Sequence, residues 1–217
     1  MEQSAAKTAA RKEVMHLDSA SGRIFAGNLC LAVCCLFYLA WWCAAFRPEN
    51  LSGETAGTGV FGSAPGSTAV LSAVLFLALL LSGITGLYFV ISGMKKAEAA
   101  KQLLSPAGIV IGCIAAYLCL LAVTRFVFHR QVTTELILIV GWVMLELLEV
   151  NTLYGCNTLG KPAVILLFCV TAAAAAGSFI AYMCYYKLAP KSAYIDGMVP
   201  LILIGAVFAI TAVLQAM

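Results

Sequence analysis

AGIVIGCIAAYLCLLAVTRFVFHRQVTTELILIVGWVMLELLEV, residues 107–150, is apolar almost throughout and is interrupted at its middle by His129, Arg130 and Gln131. An α-helix rises about 1.5 Å per residue, so about 20 apolar residues cross a hydrocarbon layer of about 30 Å. Taken as two runs, 107–128 and 132–150, the stretch supplies two such lengths joined by a tight helical hairpin. Four further runs of comparable length lie at 24–46, 69–92, 163–186 and 198–216. The pattern predicts an all-α polytopic membrane protein with six transmembrane helices. Residues 24–217 form one domain behind a polar N-terminal tail, 1–23.

Composition points the same way. The 217 residues are 63% hydrophobic and 11% charged, whereas soluble domains are roughly half apolar and a quarter charged. The charges gather in short segments between the apolar runs. A soluble helical domain needs a polar stripe on each exposed helix, and these runs lack one. The net charge of +3 comes with no basic stripe, so no nucleic-acid partner is expected. The partners are the lipid bilayer and, through close helix packing, other membrane proteins or a second copy of the chain.

The chemistry-bearing residues exclude much. Eight of the nine cysteines fall inside apolar runs and only Cys156 lies in a connector; they read as small hydrophobes, not as a disulfide framework. Cys30 and Cys34 are one turn apart but have no histidine near, which makes a poor metal site. His16 and His129 are too few to ligate two haems. No zinc-protease, phosphate-loop or nucleophile-elbow motif occurs. No cofactor, metal or catalytic group is therefore expected, and an enzyme is disfavoured.

The connectors carry the expected punctuation. Lys7, Arg11, Lys12 and Arg23 make the tail basic. The apolar run after it is too long for a signal peptide and lacks a cleavage pattern, so the tail is retained, with a short surface helix over 5–17. Residues 47–68 form a polar loop with Pro48, Pro65 and an Asn50-Leu-Ser glycosylation sequon. Ser105 before Pro106 reads as a capped helix start, and Asp196 as the cap of the sixth helix. Trp41, Trp42, Tyr185 and Tyr186 sit near span ends, at headgroup level. With the N-terminus inside, inner segments hold eight basic residues and outer ones five. That bias, strongest in the first half, predicts both termini in the cytoplasm and the protein in the cell membrane.

Two stretches share an order of features: GLYFVISGMKKAEAAKQLLSPAGIVIG (86–112) and SFIAYMCYYKLAPKSAYIDGMVPLILIG (178–205). Each has an aromatic helix end, a lysine-bearing connector, a proline helix start and a run ending Ile-Gly. The unit is three helices, and an odd number inverts the second copy, as in several transporter folds. The plain alternative is chance similarity within a small apolar alphabet.

The fourth run carries three acids. Glu135 and Glu146 are 11 residues apart, about three turns plus 20° on a helix, and Glu149 is offset by about 60° the other way. Trp142 falls on the same side, and Ile137, Val140, Met144 and Leu148 make the opposite face apolar. An ionised carboxylate in lipid costs several kcal/mol, so the acidic stripe is expected to face the bundle interior or a water-filled cavity. For a helix centred near Gly141, Glu146 lies roughly 7–8 Å from the midplane, Glu135 roughly 9 Å beyond it, and Glu149 roughly 12 Å away.

Glu146, Glu135 and Trp142 are therefore the candidates for an ion, proton or substrate site. The structural alternative pairs Glu135 with Arg125 or Arg130 across the hairpin and lets Glu146 and Glu149 mark the helix end, near Lys161. Acids oppose the dipole at a helix C-terminus, so continuation past Val150 is not what they favour. Gly108 and Gly112, with the Ala172–Ala176 strip, are the candidates for close helix packing. Two functions fit these features: a small transporter or permease-like protein using the acidic stripe, or a non-catalytic subunit or scaffold that packs against partner membrane proteins.

Overall fold

The computed structural model describes residues 19–45, 66–97, 103–129, 134–185 and 187–217. Their secondary structure is wholly helical: α1 Ala20–Ala45, α2 Gly66–Lys96, α3 Pro106–Ala122 with a π-helical turn Val123–Val127, α4 Thr134–Gly155, α5 Lys161–Tyr185, a short α6 Pro190–Asp196, and α7 Val199–Ala216. Six segments are long and apolar enough to cross a membrane, the sixth being α6 and α7 taken together from Lys191. The chain is a multi-pass membrane protein. The ends near residues 20 and 216 share one face of the bundle, the terminal face; the start of α4, the end of α5 and α6 lie toward the other, the far face.

Burial is inverted relative to a soluble protein. Leu77 and Ile84 on α2, Ile111 and Leu118 on α3, Leu138 on α4 and Ile180 on α5 are all exposed. Asn28, Glu146, Glu149, Asn151, Thr171, Ser178, Thr211 and Gln215 are all buried. Apolar residues outside and polar ones inside is the arrangement lipid requires, since a bilayer offers no hydrogen bonds.

The helices are unequal. Half of the apolar window of α4 is buried, against 11% for α2, so α4 is central and α2 peripheral. α2 lies along α1 and α5 along α4; α7 lies along α1 and α3 along α4. These pairings repeat when the two halves are exchanged. The α5–α7 contact, however, has no comparable α2–α3 contact, so the halves differ at the centre. α1 is antiparallel to α7, with Cys35 opposite Gly205 and Trp42 opposite Gly197.

Several local expectations shift. α4 runs to Gly155, five residues beyond the apolar run, because Asn151 and Thr152 are held from inside. Asn151 Oδ1 accepts from the backbone N–H groups of Leu103 (3.0 Å) and Leu104 (2.9 Å), and its Nδ2 donates to Leu104 O at 2.8 Å. One buried amide thus fixes the α2–α3 connector onto α4. Asn151→Ala is expected to cost about 2–3 kcal/mol, since three bonds are lost and backbone donors are left unpaired. A thermal melt in detergent, with proteolysis at the connector, measures this.

Ser105 occupies the N-cap position of α3 without a side-chain cap bond. Asp196 ends α6 and does not cap α7, whose N-cap is Met198. The helix expected over 5–17, Asn50 and most of the 47–68 loop, and Arg130 lie outside the described residues; residues 66–68 already belong to α2.

Candidate functional site

The inward face of α4 reads Leu136, Ile139, Trp142, Glu146, Glu149, Val150 and Leu153, all buried. The spacing of three and four residues keeps these side chains on one stripe. Within it, Glu146 and Glu149 have no solvent exposure. A helix of 22 residues is about 33 Å long, which puts Glu146 only about 2 Å from its midpoint and Glu149 about 7 Å from it. Both acids therefore sit deeper than a helix ending at Val150 implies.

Their partners are neutral. Thr211 Oγ1 on α7 donates to Glu146 Oε1 at 2.7 Å. Asn28 Nδ2 on α1 donates to Glu149 Oε1. The second oxygen of each carboxyl is buried and has no hydrogen-bond partner among the described residues. Other unpaired buried polar atoms belong to the same region: Asn28 Oδ1, Thr171 Oγ1 and both amide atoms of Gln215.

The polar residues form a layer. On α1, Asn28 lies between Ile24 and Leu31; on α4, the two acids lie between Trp142 and Leu153; on α5, Thr171 lies between Leu167 and Ala174; on α7, Thr211 lies between Phe208 and Leu214. The lower residue of each pair belongs to an apolar cluster toward the terminal face, with Val150, Leu159 and Val164. The upper residue belongs to a second cluster toward the far face, with Val90 and Val207. Four helices each contribute one polar step between two apolar plugs. Trp142 and Phe208 meet edge to face in the upper plug, with centroids 6.5 Å apart.

Above the upper plug a cavity of about 220 Å³ opens at the far face. Its lining includes Tyr38, Trp42, Glu135, Tyr182, Tyr185 and Asp196, and its floor includes Ile139 and Ile204. Ile139 is one turn from Trp142 and Ile204 one turn from Phe208, so the cavity stands directly over the plug that covers Glu146.

The structure thus separates residues that the sequence put on one stripe. Glu146 and Trp142 are neighbours in the interior, whereas Glu135 is exposed and lines the cavity, about 16 Å from Glu146 along the helix. Arg125 is exposed within the π turn. Among the described residues nothing packs closely on Gly108 and Gly112: a Cβ on Gly112 meets nothing within 4 Å, and one on Gly108 meets only Ser105 Cβ at 3.8 Å. Asn28, Thr171, Thr211 and Gln215 were not singled out by sequence. Their signal was present, since each is a polar side chain inside an apolar run, and Thr211 and Gln215 are spaced to share a face.

Among the described residues no three His, Cys, Asp or Glu side chains gather as a metal site. No protein family matches the chain, and no curated protein or solved structure matches it.

Proposed function

We propose that this chain is a small transporter or permease-like membrane protein in which Glu146 and Glu149 take up a proton or small cation. The carrying observation is the pair of fully buried acids whose hydrogen-bond partners among the described residues are Thr211 and Asn28 alone. Two negative charges at this depth need compensation worth several kcal/mol. A structural ion pair supplies it with Lys or Arg; here the partners are neutral, which leaves the compensation to something that arrives.

The partners suit two charge states. A threonine hydroxyl donates to a carboxylate and accepts from a carboxylic acid. Asn28 offers an amide nitrogen, one N–H of which already bonds Glu149, and an acceptor oxygen unused among the described residues. A proton on Glu149 Oε2 turns an orphan acceptor into a donor, for which the amide oxygen is the chemically matched partner. The two plugs make the described state occluded, and the cavity gives it an outer vestibule. We place both termini on the cytoplasmic side of the cell membrane on the strength of the basic-residue bias, so the vestibule faces outward.

A second reading, a partner-binding subunit, is favoured by the uncovered Gly108–Gly112 face of α3. The two are separated by proton flux in proteoliposomes driven by a potassium diffusion potential and read with a trapped pH dye. Glu146→Gln is expected to lower the flux at least about tenfold, since it removes the deepest proton acceptor. Flux equal in the wild type and this variant rejects the transport reading.

A further inference from the structure

We propose that the far-face cavity binds an organic ammonium ion. Four aromatic rings, Tyr38, Trp42, Tyr182 and Tyr185, and two carboxyl groups, Glu135 and Asp196, converge on it, and none of the described residues that line it is basic. Asp196 Oδ2 is buried and has no hydrogen-bond partner among the described residues. Aromatic faces attract cations, and cages of rings with a carboxylate are the usual solution for alkylated ammonium groups, which lack N–H bonds to donate. An inorganic cation wants six or more oxygen ligands at about 2.0–2.6 Å; walls made of rings and aliphatic side chains do not offer them. The volume of about 220 Å³ falls below the roughly 300–1,000 Å³ of drug-sized pockets, so the fit is a small ion.

Rings near a span end are often only a membrane-interface belt. Trp42 is held differently. Its Nε1 donates to Tyr194 O at 3.2 Å and its ring stacks on Tyr194. It also lies so close to Gly197 that a Cβ there falls 2.8 Å from Trp42 Cζ2. Glycine at 197 lets the indole form a wall of the cavity. An ammonium group reaches this depth either on a soluble solute or on a choline-type lipid headgroup, and the chemistry of recognition is the same.

The site stands on its own lining and is tested without transport. Purified full-length protein in a maltoside detergent is titrated with phenyltrimethylammonium and followed by saturation-transfer NMR. Saturable binding is expected, with none for benzenesulfonate, a ring of similar size and opposite charge. Asp196→Asn and Trp42→Leu are each expected to weaken binding about tenfold, and Gly197→Val to weaken it by displacing the indole. Lys187→Gln, exposed on the same face, leaves it unchanged. Displacement by monomeric dihexanoylphosphatidylcholine assigns the ammonium to a lipid headgroup; displacement by tetramethylammonium alone assigns it to a soluble solute; either supports the site. Equal binding of benzenesulfonate, undiminished binding in all three cavity variants, or no saturable binding to folded wild type overturns it. Intact binding beside absent proton flux leaves this site standing while the transport reading falls.

Discussion

Asn28→Ala is expected to lower the melting temperature of the detergent-solubilised protein by about 5–15 °C, while Glu149→Gln leaves it unchanged or raises it. The amide of Asn28 gives Glu149 its one hydrogen bond among the described residues. Removing it strands a carboxyl in the interior, at a cost of about 2–4 kcal/mol. A chain of this size loses roughly 2–4 °C per kcal/mol. Glutamine, by contrast, copies the shape of a proton-loaded Glu149: one oxygen still accepts from Asn28 Nδ2, and an NH₂ group replaces the orphan Oε2. A structural carboxylate gives the opposite sign, because a negative charge strengthens its hydrogen bonds and its loss weakens them. The double variant Asn28→Leu/Glu149→Leu sharpens the comparison. Replacing both members of a buried polar pair with aliphatic groups is often neutral or stabilising, so it should melt above Asn28→Ala and carry no proton flux.

That outcome bears on why the layer exists. A six-helix bundle packs adequately with aliphatic side chains at 28, 146, 149, 171 and 211, and lipid-facing helices need no polar core. Buried polar atoms that are only half satisfied lower stability, and in membrane spans they mark ion and proton paths. The plugs above and below make the same point from packing. In the proposed transport role, a proton moving from the cavity to Glu146 would need the Trp142–Phe208 contact to open, and one reaching the terminal face would need Leu153, Leu159 and Leu167 to part. One acidic layer between two apolar barriers is the minimum an alternating-access device needs.

The six spans were legible in sequence because lipid imposes a length and a composition that no other environment does. Run lengths near 20 residues and polar connectors suffice to find them. The depth of the acids was less legible. The apolar run stops at Val150, but the helix does not, because Asn151 bonds the connector residues Leu103 and Leu104, nearly 50 positions earlier in the chain. A one-dimensional reading has no access to that bond, so it centred the span too early. Glu135 keeps to the stripe but meets a cavity and not a packed interior, a difference of depth that spacing does not give. Angle alone put it within about 20° of Glu146, but α1, α5 and α7 diverge enough at the far face to leave a cavity there. Among the glycines, the Gly-x-x-x-Gly at 108 and 112 is uncovered by the described residues, which leaves it for contacts between chains, while the set on α1 and α2 carries the tightest contact.

That contact yields the largest stability change expected for a single residue. Gly27 sits against the α2 backbone: a Cβ there falls 2.9 Å from both Gly86 O and Val90 N. Gly93, one heptad along from Gly86, comes as close to Ala20 O, at 2.8 Å. Two helices meeting backbone to backbone cannot absorb a side chain by rotamer change, so Gly27→Leu must push α1 off α2, at a cost of at least about 3 kcal/mol. Because Asn28 is the next residue, the same displacement moves its amide away from Glu149, and flux is lost along with stability. Gly112→Leu is the matched control. It makes the same substitution at a glycine with nothing within 4 Å, and its expected effect on the isolated chain is under about 0.5 kcal/mol. Melting curves of the two variants in detergent, beside size-exclusion profiles, separate the cases. Gly27→Leu should melt at least about 6 °C lower as a monomer. If Gly112→Leu instead dissociates a larger assembly, the open face of α3 is covered by another molecule in the native membrane, and the partner-binding reading gains the observation it needs.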